Sequence, residues 1–480
     1  MSGHSPLRVA VIGGGLSGLA TAAKLCRLDP SVEVKLFERS DRVGGVIHTE
    51  QIGSFLVDHG ADMFSTKPSA AYDFCCEIGL QDRLIEPNLQ GRGARIVRDG
   101  KLLPIPNGFV VMRATQCLPM LTTPLLSLSG KLRFLMERWV RPRNEERDES
   151  IADFVRRRMG SEALDRIVAP LSAGIYTADV TKLSMQATMR PIAKMEQRYG
   201  SLAKATSARR RSGQDSIERN STGARYGQFR AMRGGMVELI QGIAACLPSD
   251  SIHLNAEVSS LERCSGKQWR LTVHGVAETF DHIVIALPPR PAAKLLASHT
   301  AETAEQLERI QSASTAIVVL GVRRSDIQKP VETFGFVVPL SENRRILAGS
   351  FASQKFSGRA PDDHVLIRVF IGGAMQPELL EHTDEELTLI AREELGELIG
   401  LTGSPVLTRV VRWNHAMPQY HVGHAELVAR IDEKMAQLDG VSLVSNALHG
   451  VGIAPVIQLA DKTAHQVKEQ LKTLSDTSHG

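Results

Sequence analysis

Four consecutive apolar residues, Val9 to Ile12, run directly into Gly13-Gly14-Gly15-Leu16-Ser17-Gly18, after which Leu16, Leu19, Ala20 and Ala23 recur at helical spacing. The pattern predicts a buried strand, a tight turn and a helix. A second run, Val32 to Phe37, predicts another strand and ends on Glu38; Phe55 to Asp62 reads as a short strand entering a glycine turn. Arg95 to Leu103 reads as a hairpin around Asp99-Gly100. From Ile151 to Met159 a helix is expected with Ile151, Phe154 and Val155 on one face and Arg156, Arg157 and Arg158 mostly outward. Strand-length apolar runs return at Ile252–Val258, Trp269–Val273 and Ile283–Ala286. Four more follow at Ile317–Val322, Phe334–Pro339, Ile346–Ser350 and Val365–Ile371, suggesting an antiparallel sheet. Helical periodicity covers Thr383 to Ile399, and a strand, a glycine turn and a helix starting near Pro455 end the pattern.

The first turn carries chemistry. In a strand-turn-helix of this spacing Gly13 lets the chain turn, Gly15 lets backbone approach a pyrophosphate, and Gly18 lets helix and strand pack closely. The helix amides then face the ligand's negative charge. Glu38, about twenty residues on, can accept the ribose hydroxyls of an adenosine and would repel a 2′-phosphate, which disfavours NADP. Next comes Asp41-Arg42-Val43-Gly44-Gly45. This R-x-G-G resembles the second FAD fingerprint of the amine oxidase and protoporphyrinogen oxidase superfamily, so FAD is expected rather than NAD. His59, alone in a turn, reads as a hydrogen-bonded structural residue.

Composition narrows the class. The chain has 480 residues, 42% hydrophobic and 23% charged, enough for a large core in two or three lobes. No run of about eighteen uncharged apolar residues occurs and the first residues do not read as a signal peptide, so a cytoplasmic product is expected. Six cysteines without C-x-x-C spacing read as buried thiols, with neither structural zinc nor a disulfide framework, and no metal site is expected. The net charge of +4 conceals a basic stretch, Arg190 to Arg233, with eleven Lys or Arg against three acids. Its composition predicts a solvated, mobile loop, with an electrostatic collar for an anionic substrate or a membrane surface as the sharper alternative. Nucleic acid is disfavoured because, Tyr199 apart, aromatics are not interleaved before Tyr226 and Phe229. Gly108 to Gly130, with Arg113 as its one charge, is either short helices lying on a bilayer or the lining of a hydrophobic cavity.

Further motifs sharpen the resemblance. Gly174-Ile175-Tyr176-Thr177-Ala178-Asp179 with Lys182-Leu183-Ser184-Met185, Phe229 to Met236, Phe334 to Pro339 and Trp413 to Gly423 resemble segments of the protoporphyrinogen/coproporphyrinogen III oxidase family. The resemblance implies an α/β fold: a Rossmann-like FAD-binding domain in three parts (1–90, 228–293 and 426–480), a helical substrate- or membrane-facing lobe (91–213), and an antiparallel-sheet substrate-binding domain (294–425). The strands of 252–286 are then expected as the third and fourth of the FAD sheet. FAD is implied to be non-covalent, held by Gly13, Gly14, Gly15, Leu16, Ser17, Gly18, Glu38, Arg42, Gly44, Gly45 and Val46. Gly60, Ala61, Asp62 and Met63 would return to the flavin, and Val258 would meet the adenine. Trp413 and the turn Val451, Gly452, Ile453 complete the set. The late segment departs from the family: Leu448 stands where an aromatic is usual, and Ala454-Pro455 replaces Pro-Asp.

For substrate, the resemblance implies a porphyrinogen against Gly174, whose carbonyl can accept pyrrole N–H, with Phe334 and a propionate held by Arg92 or Arg95. By family, FAD takes hydride at N5 and passes electrons to oxygen as hydrogen peroxide, three rounds giving the porphyrin of haem biosynthesis. No catalytic side chain is singled out. Surplus positive charge and no evident anchor favour coproporphyrinogen III over protoporphyrinogen IX. Peripheral contact with the inner face of the cell membrane and contact with a ferrochelatase are further partners the resemblance brings. An amine oxidase or desaturase on the same fold, or a flavoprotein without turnover, are the rival readings. The last cysteine is Cys264, so none stands near the late glycine turn to attach a flavin covalently, and five tyrosines leave few candidates for an amine cage.

Overall fold

The computed structural model describes residues 6–110, 112–143, 147–212, 226–264, 267–329 and 332–477. Its centre is a five-stranded parallel sheet in the spatial order Ile252–His253, Glu33–Phe37, Arg8–Ile12, His282–Ile285, Val441–Leu443. Alternation along the first strand explains the layers. Val9 and Val11 pack with Leu19, Ala22 and Leu239 beneath the Leu16–Leu28, Val237–Ala244 and Ile453–Thr477 helices. Ala10 and Ile12 face the other way, toward Trp269, Leu271, Ile431 and Leu296.

Only part of the expected return to this sheet occurs. Ile252–His253 and His282–Ile285 join it, but Trp269–Val273 lies in a separate antiparallel sheet with Val258–Arg263 and Val276–Phe280. The last helix starts at Ile453, which puts Pro455 inside its first turn, where a missing N–H costs nothing.

The second sheet has seven strands in the order Leu407–Pro418, Ser312–Arg323, His364–Gly372, Ala348–Phe351, Gly335–Val337, Ala94–Arg98, Lys101–Pro104. It is antiparallel except that Gly335–Val337 runs parallel to Ala94–Arg98. The 94–104 hairpin, inside the stretch expected to be the helical lobe, therefore extends this sheet. Asp99 and Gly100 take positive φ of 49° and 68° in its turn, as a two-residue hairpin loop requires. One face (Val318, Val338, Ile367, Val369) is covered by the Asp384–Ile399 helix, which begins with a capping box of Thr383 and Glu386. The other face turns toward the cofactor domain and the lobe.

The lobe overturns two expectations. Arg158 is 0% exposed: its guanidinium binds the Glu137 carboxylate and reaches Glu196 at 3.2 Å. It stands seven residues after Ile151 and four after Phe154, so helical geometry carries it inward with them. Arg157 bonds Glu196 and Glu149, each at 2.6 Å, while Arg156 stays outside. The basic stretch is not a loop over its first half: Arg190–Tyr199 and Leu202–Arg211 are helices that bury Ile192, Glu196, Leu202 and Ala205. Glu137 accepts from the amides of Leu202 and Ala203, both at 2.9 Å, and so caps the second helix from the lobe's core. The remainder, 213–225, lies outside the described residues.

Gly108 to Gly130 forms the paired strands Phe109–Val110 and Arg113–Ala114 and the helix Leu118–Thr122, followed by the helix Leu128–Leu135. Phe109, Met112, Leu125 and Leu126 are packed in the lobe's core, whereas Leu118 and Leu128 are 70% and 84% exposed. Of the six cysteines Cys75 is buried and Cys117 exposed, the others lying between, so the expectation of uniformly buried thiols fails at Cys117.

Candidate functional site

The three glycines of the first turn behave as three different devices. Gly13 takes φ +107°, and a Cβ there would lie 2.5 Å from the Ala286 carbonyl oxygen. A Cβ on Gly18 would lie 1.9 Å from the carbonyl oxygen of Gly13, the close helix–strand approach that the spacing calls for. Gly15 has nothing within 4 Å of such a Cβ: the space in front of it is open, at the N-terminus of the Leu16–Leu28 helix.

The second glycine pair closes onto the first. Gly44 donates its amide to the Gly14 carbonyl at 2.8 Å, making an isolated parallel bridge, and a Cβ on Gly45 would stand 3.3 Å from the Gly15 Cα. Arg42 steadies this turn, donating to the Val43 and Gly45 carbonyls at 3.2 and 2.8 Å. Glu38 sits at the same end. One carboxylate oxygen accepts the Gly14 amide at 2.7 Å, and the other accepts the amide and hydroxyl of Ser40 at 2.9 and 2.7 Å. Residues 253–256 pass beside it, with Ala256 donating to the Glu38 carbonyl, and lead to half-buried Val258. Two facing glycine turns with a helix N-terminus and a carboxylate fit a dinucleotide, so these residues would hold the pyrophosphate and ribose of FAD.

The residues expected around the flavin come from more distant parts. Gly60 is wedged between the R-x-G-G segment and Trp413, since a Cβ there would be 2.5 Å from both the Val46 carbonyl oxygen and the Trp413 ring. Ala61 and Met63 are half-buried and Val46 is exposed beside them. The Asp62 side chain is buried against Lys355 and Arg368. His59 donates from Nε2 to the Glu50 carboxylate at 2.9 Å, and burial first lowers its pKa, as expected of a structural histidine.

The turn before the last helix is clasped from below. Tyr420 donates its hydroxyl to the Asn446 carbonyl and accepts the Gly450 amide at 2.9 Å. The His424 ring stacks on it at 4.0 Å, and its Nε2 bonds the Leu448 carbonyl at 3.2 Å. Burial raises the Tyr420 phenol and lowers His424 to about 4, so both stay neutral at pH 7. Val451, Gly452 and Ile453 follow immediately, at the N-terminus of the Ile453–Thr477 helix.

The proposed substrate residues are only partly gathered. Gly174, in the Ala169–Tyr176 helix, faces the second sheet, where a Cβ would stand 3.0 Å from Val337. Arg95 is on the opposite side of that sheet: Ile96 packs toward the lobe and Val97 toward the Asp384–Ile399 helix, so alternation places Arg95 with Val97. Phe334 is fully buried and offers no surface to a ligand. Arg92 bonds the Asn88 and Pro87 carbonyls at 2.9 Å each. Alternation instead puts Arg98 on the lobe side, and after burial its charge is what lowers the pKa of Arg166. Reading the parity from Ile96 would have found Arg98; nothing local distinguishes Arg368, which comes to Asp62 on the His364–Gly372 strand, or Lys355, which comes on the short Ala352–Lys355 helix.

Comparison with known proteins agrees with this geometry. The profile of the flavin-containing amine oxidoreductases matches residues 16–467. The chain belongs to that family. Its relatives include coproporphyrinogen III oxidase of Bacillus subtilis (strain 168), 30% identical and aligned over 94% of this chain and 95% of that one. Another is protoporphyrinogen oxidase 2 of Arabidopsis thaliana, 26% identical over 98% and 95%. A solved structure from Exiguobacterium sp. 255-15, described as a protoporphyrinogen oxidase, superposes with a TM-score of 0.85 at 27% identity, covering 98% of this chain and all of that one. This oxidoreductase is thus a flavoprotein, with FAD the cofactor that its paired glycine turns fit.

Proposed function

We propose that this protein oxidises a porphyrinogen to the porphyrin, with coproporphyrinogen III as the preferred substrate and molecular oxygen as the final acceptor. The observation that carries the reading is how the Gly174 segment is tied to the flavin end. Gln419 donates to the Tyr176 carbonyl at 3.2 Å, Ser184 donates its amide to the Tyr420 carbonyl at 2.8 Å, and Tyr420 in turn clasps 446–450. A flat substrate lying on Gly174 would therefore be held in register with the flavin turn.

Bound FAD supplies the two-electron acceptor for hydride removed from carbon. The chain's own share is positioning and exclusion of water. The small Gly174 admits a broad ring and offers a carbonyl near the end of its helix to pyrrole N–H. Arg98, on the lobe side and 3.3 Å from the exposed Asp99 carboxylate, would turn to a propionate, while its neighbour Arg166 is held by Glu162. Trapping the substrate between lobe and sheet keeps the reacting carbon out of solvent. No nucleophile or general base is needed at a side chain for a hydride abstraction of this kind.

Among the described residues no helix is long and apolar enough to cross a membrane. Peripheral contact from the cytoplasmic side is supported by Leu128, Leu132, Met136 and Trp139, which are exposed along consecutive turns beside Lys131, Arg133 and Arg138.

The deciding experiment is oxygen uptake by the purified, FAD-loaded protein with each porphyrinogen. The expected result is a higher kcat/KM for coproporphyrinogen III. Equal values or a preference for protoporphyrinogen IX would overturn the choice of substrate, and no uptake with either would overturn the oxidase reading.

A further inference from the structure

Beneath the Gly60–Met63 turn lies a knot of five buried charged side chains. Asp62 takes Lys355 Nζ at 2.9 Å and an Arg368 guanidinium nitrogen at 3.1 Å. Asp58 gives one oxygen to the Thr49 hydroxyl and the Met236 amide, and its other oxygen lies 3.6 Å from Arg359 Nε. Arg359 donates its remaining nitrogens to the Met232 and Arg233 carbonyls, and Arg368 donates to the carbonyl of Gly60 itself. All five are under 9% exposed. Three cations thus stand against two carboxylates.

A surplus charge taken out of water is costly unless something nearby answers it. The carbonyl dipoles answer part of it. Yet buried Arg368 Nε still has no hydrogen-bond partner, and Arg359 Nε and Asp58 Oδ2, 3.6 Å apart, meet only as an ion pair without a hydrogen bond. Nor does the buried hydroxyl of Ser350, the residue paired with Arg368 on the neighbouring strand. Burial alone would raise the Asp62 carboxyl, but Lys355 and Arg368, with Arg359 behind them, hold it down to about 2. Asp62 is thus taken up by Lys355 and Arg368 and Asp58 faces Arg359, so two carboxylates answer three cations and one positive charge is left over.

The knot touches the flavin end of the site through Gly60, which sits between Val46 and Trp413. Hydride transfer adds two electrons and one proton to the flavin ring, leaving it with one negative charge, and the substrate carbon loses the same two electrons and proton. Later transfer of those electrons to oxygen, with a second proton, gives hydrogen peroxide and restores the oxidised ring. We infer that the surplus cation of the Lys355–Arg359–Arg368 knot stabilises the negative charge of the reduced flavin and raises its reduction potential. Through low-dielectric protein such a charge acts at longer range than in water. These are positioning residues for charge, not groups that touch the reacting carbon. The inference rests on FAD binding and not on the identity of the substrate.

The test uses the FAD-loaded full chain without any porphyrinogen, so it stands whether or not the substrate reading does. Lys355→Met removes one cation and leaves Asp62 paired with Arg368; Asp62→Asn removes one carboxylate and enlarges the surplus. The readouts are the two-electron midpoint potential and the affinity for sulfite, which adds to the oxidised ring and leaves it anionic. In Lys355→Met the sulfite dissociation constant should rise about tenfold and the midpoint should fall by about 30 mV, the two-electron equivalent of that factor. In Asp62→Asn both should move the opposite way. Opposite signs are not what loosened packing would give. Shifts in the same direction, or sulfite affinities within about twofold of the parent in both variants, would overturn the inference. If Lys355→Met does not accumulate as folded holoprotein, the sign in Asp62→Asn decides alone.

Discussion

Arg158 reaches Glu196 at 3.2 Å with both side chains buried, joining the Ile151–Met159 helix to one that belongs to the most basic stretch of the chain. Glu137 takes the other side of the same guanidinium and caps the helix after it. Removing one partner of a buried pair leaves the other charge uncompensated, at a cost of about 3–5 kcal/mol. Arg158→Ala should lower Tm by several degrees, and Arg156→Ala, on the exposed face, should not. Deletion of 203–222 should also lower Tm markedly, because it removes the Ala203 amide from Glu137 and buried Ala205 from the core.

Glu38 joins the first glycine turn to the edge of the sheet, so its loss should be felt in cofactor affinity. A hydrogen bond to a charged group contributes about 1.5–3 kcal/mol. Glu38→Ala should weaken FAD binding by about tenfold or more, measured by recovery of flavin fluorescence on dilution, and Glu38→Gln by less.

FAD should leave the protein on acid precipitation. No cysteine lies after Cys264, which stands in the connection between two strands of the small antiparallel sheet. Yellow colour should appear in the supernatant, and colour retained in the pellet would contradict non-covalent binding.

Gly174→Phe and Arg98→Ala separate the two halves of the substrate reading. A phenyl group at 174 would collide with Val337 and block the face of the sheet, so turnover should fall at least tenfold while FAD stays bound. Loss of a charge-assisted contact at Arg98 should raise KM about tenfold with kcat little changed. Arg95→Ala, on the far face, should leave KM within about twofold; a larger effect there would restore Arg95 as the propionate residue.

Acid should destabilise the fold through buried neutral histidines. Burial lowers His282 to about 3, and burial first, then the charges of His449 and His421, lower His424 to about 4. Both folded values lie below the unfolded value near 6.5, so the unfolded state binds more protons as pH falls. The stability is whole above about pH 6.5 and is lost toward pH 4, at about 1.4 kcal/mol per pH unit for each histidine. Tm measured from pH 7.5 to 5 should therefore fall, and more shallowly in His282→Asn.

What the chain discloses about itself follows distance in sequence. The strand, turn and helix around Gly13–Gly18 are local, and each glycine has the environment its spacing implies. Arg158 was within reach of the same reasoning, since its place seven residues from Ile151 outweighs its charge once Glu137 and Glu196 meet it. The helices of 190–211 were not, because their buried acid, Glu196, is answered by side chains about forty residues upstream. Arg95 and Arg98 differ only in parity, and parity acquires meaning when Gly335–Val337 pairs with the hairpin and fixes which face is inside. Lys355, Arg359 and Arg368 look like ordinary surface charges in the sequence, and only the tertiary path of the Ala352–Lys355 helix, the connection after it and the His364–Gly372 strand brings them under the Gly60 turn.

The spatial order of the five-stranded sheet also sets a timetable. Its central strand, Arg8–Ile12, is made first, and one of its edges, Val441–Leu443, nearly last. At about 5–20 residues per second, roughly 20–90 s separate the two on the ribosome. During that interval the His282–Ile285 strand has an unpaired edge, and the long helix that covers Val9 and Val11 has not been made. The nascent chain must therefore carry an open strand edge and the uncovered apolar face of its first strand until its synthesis is almost complete.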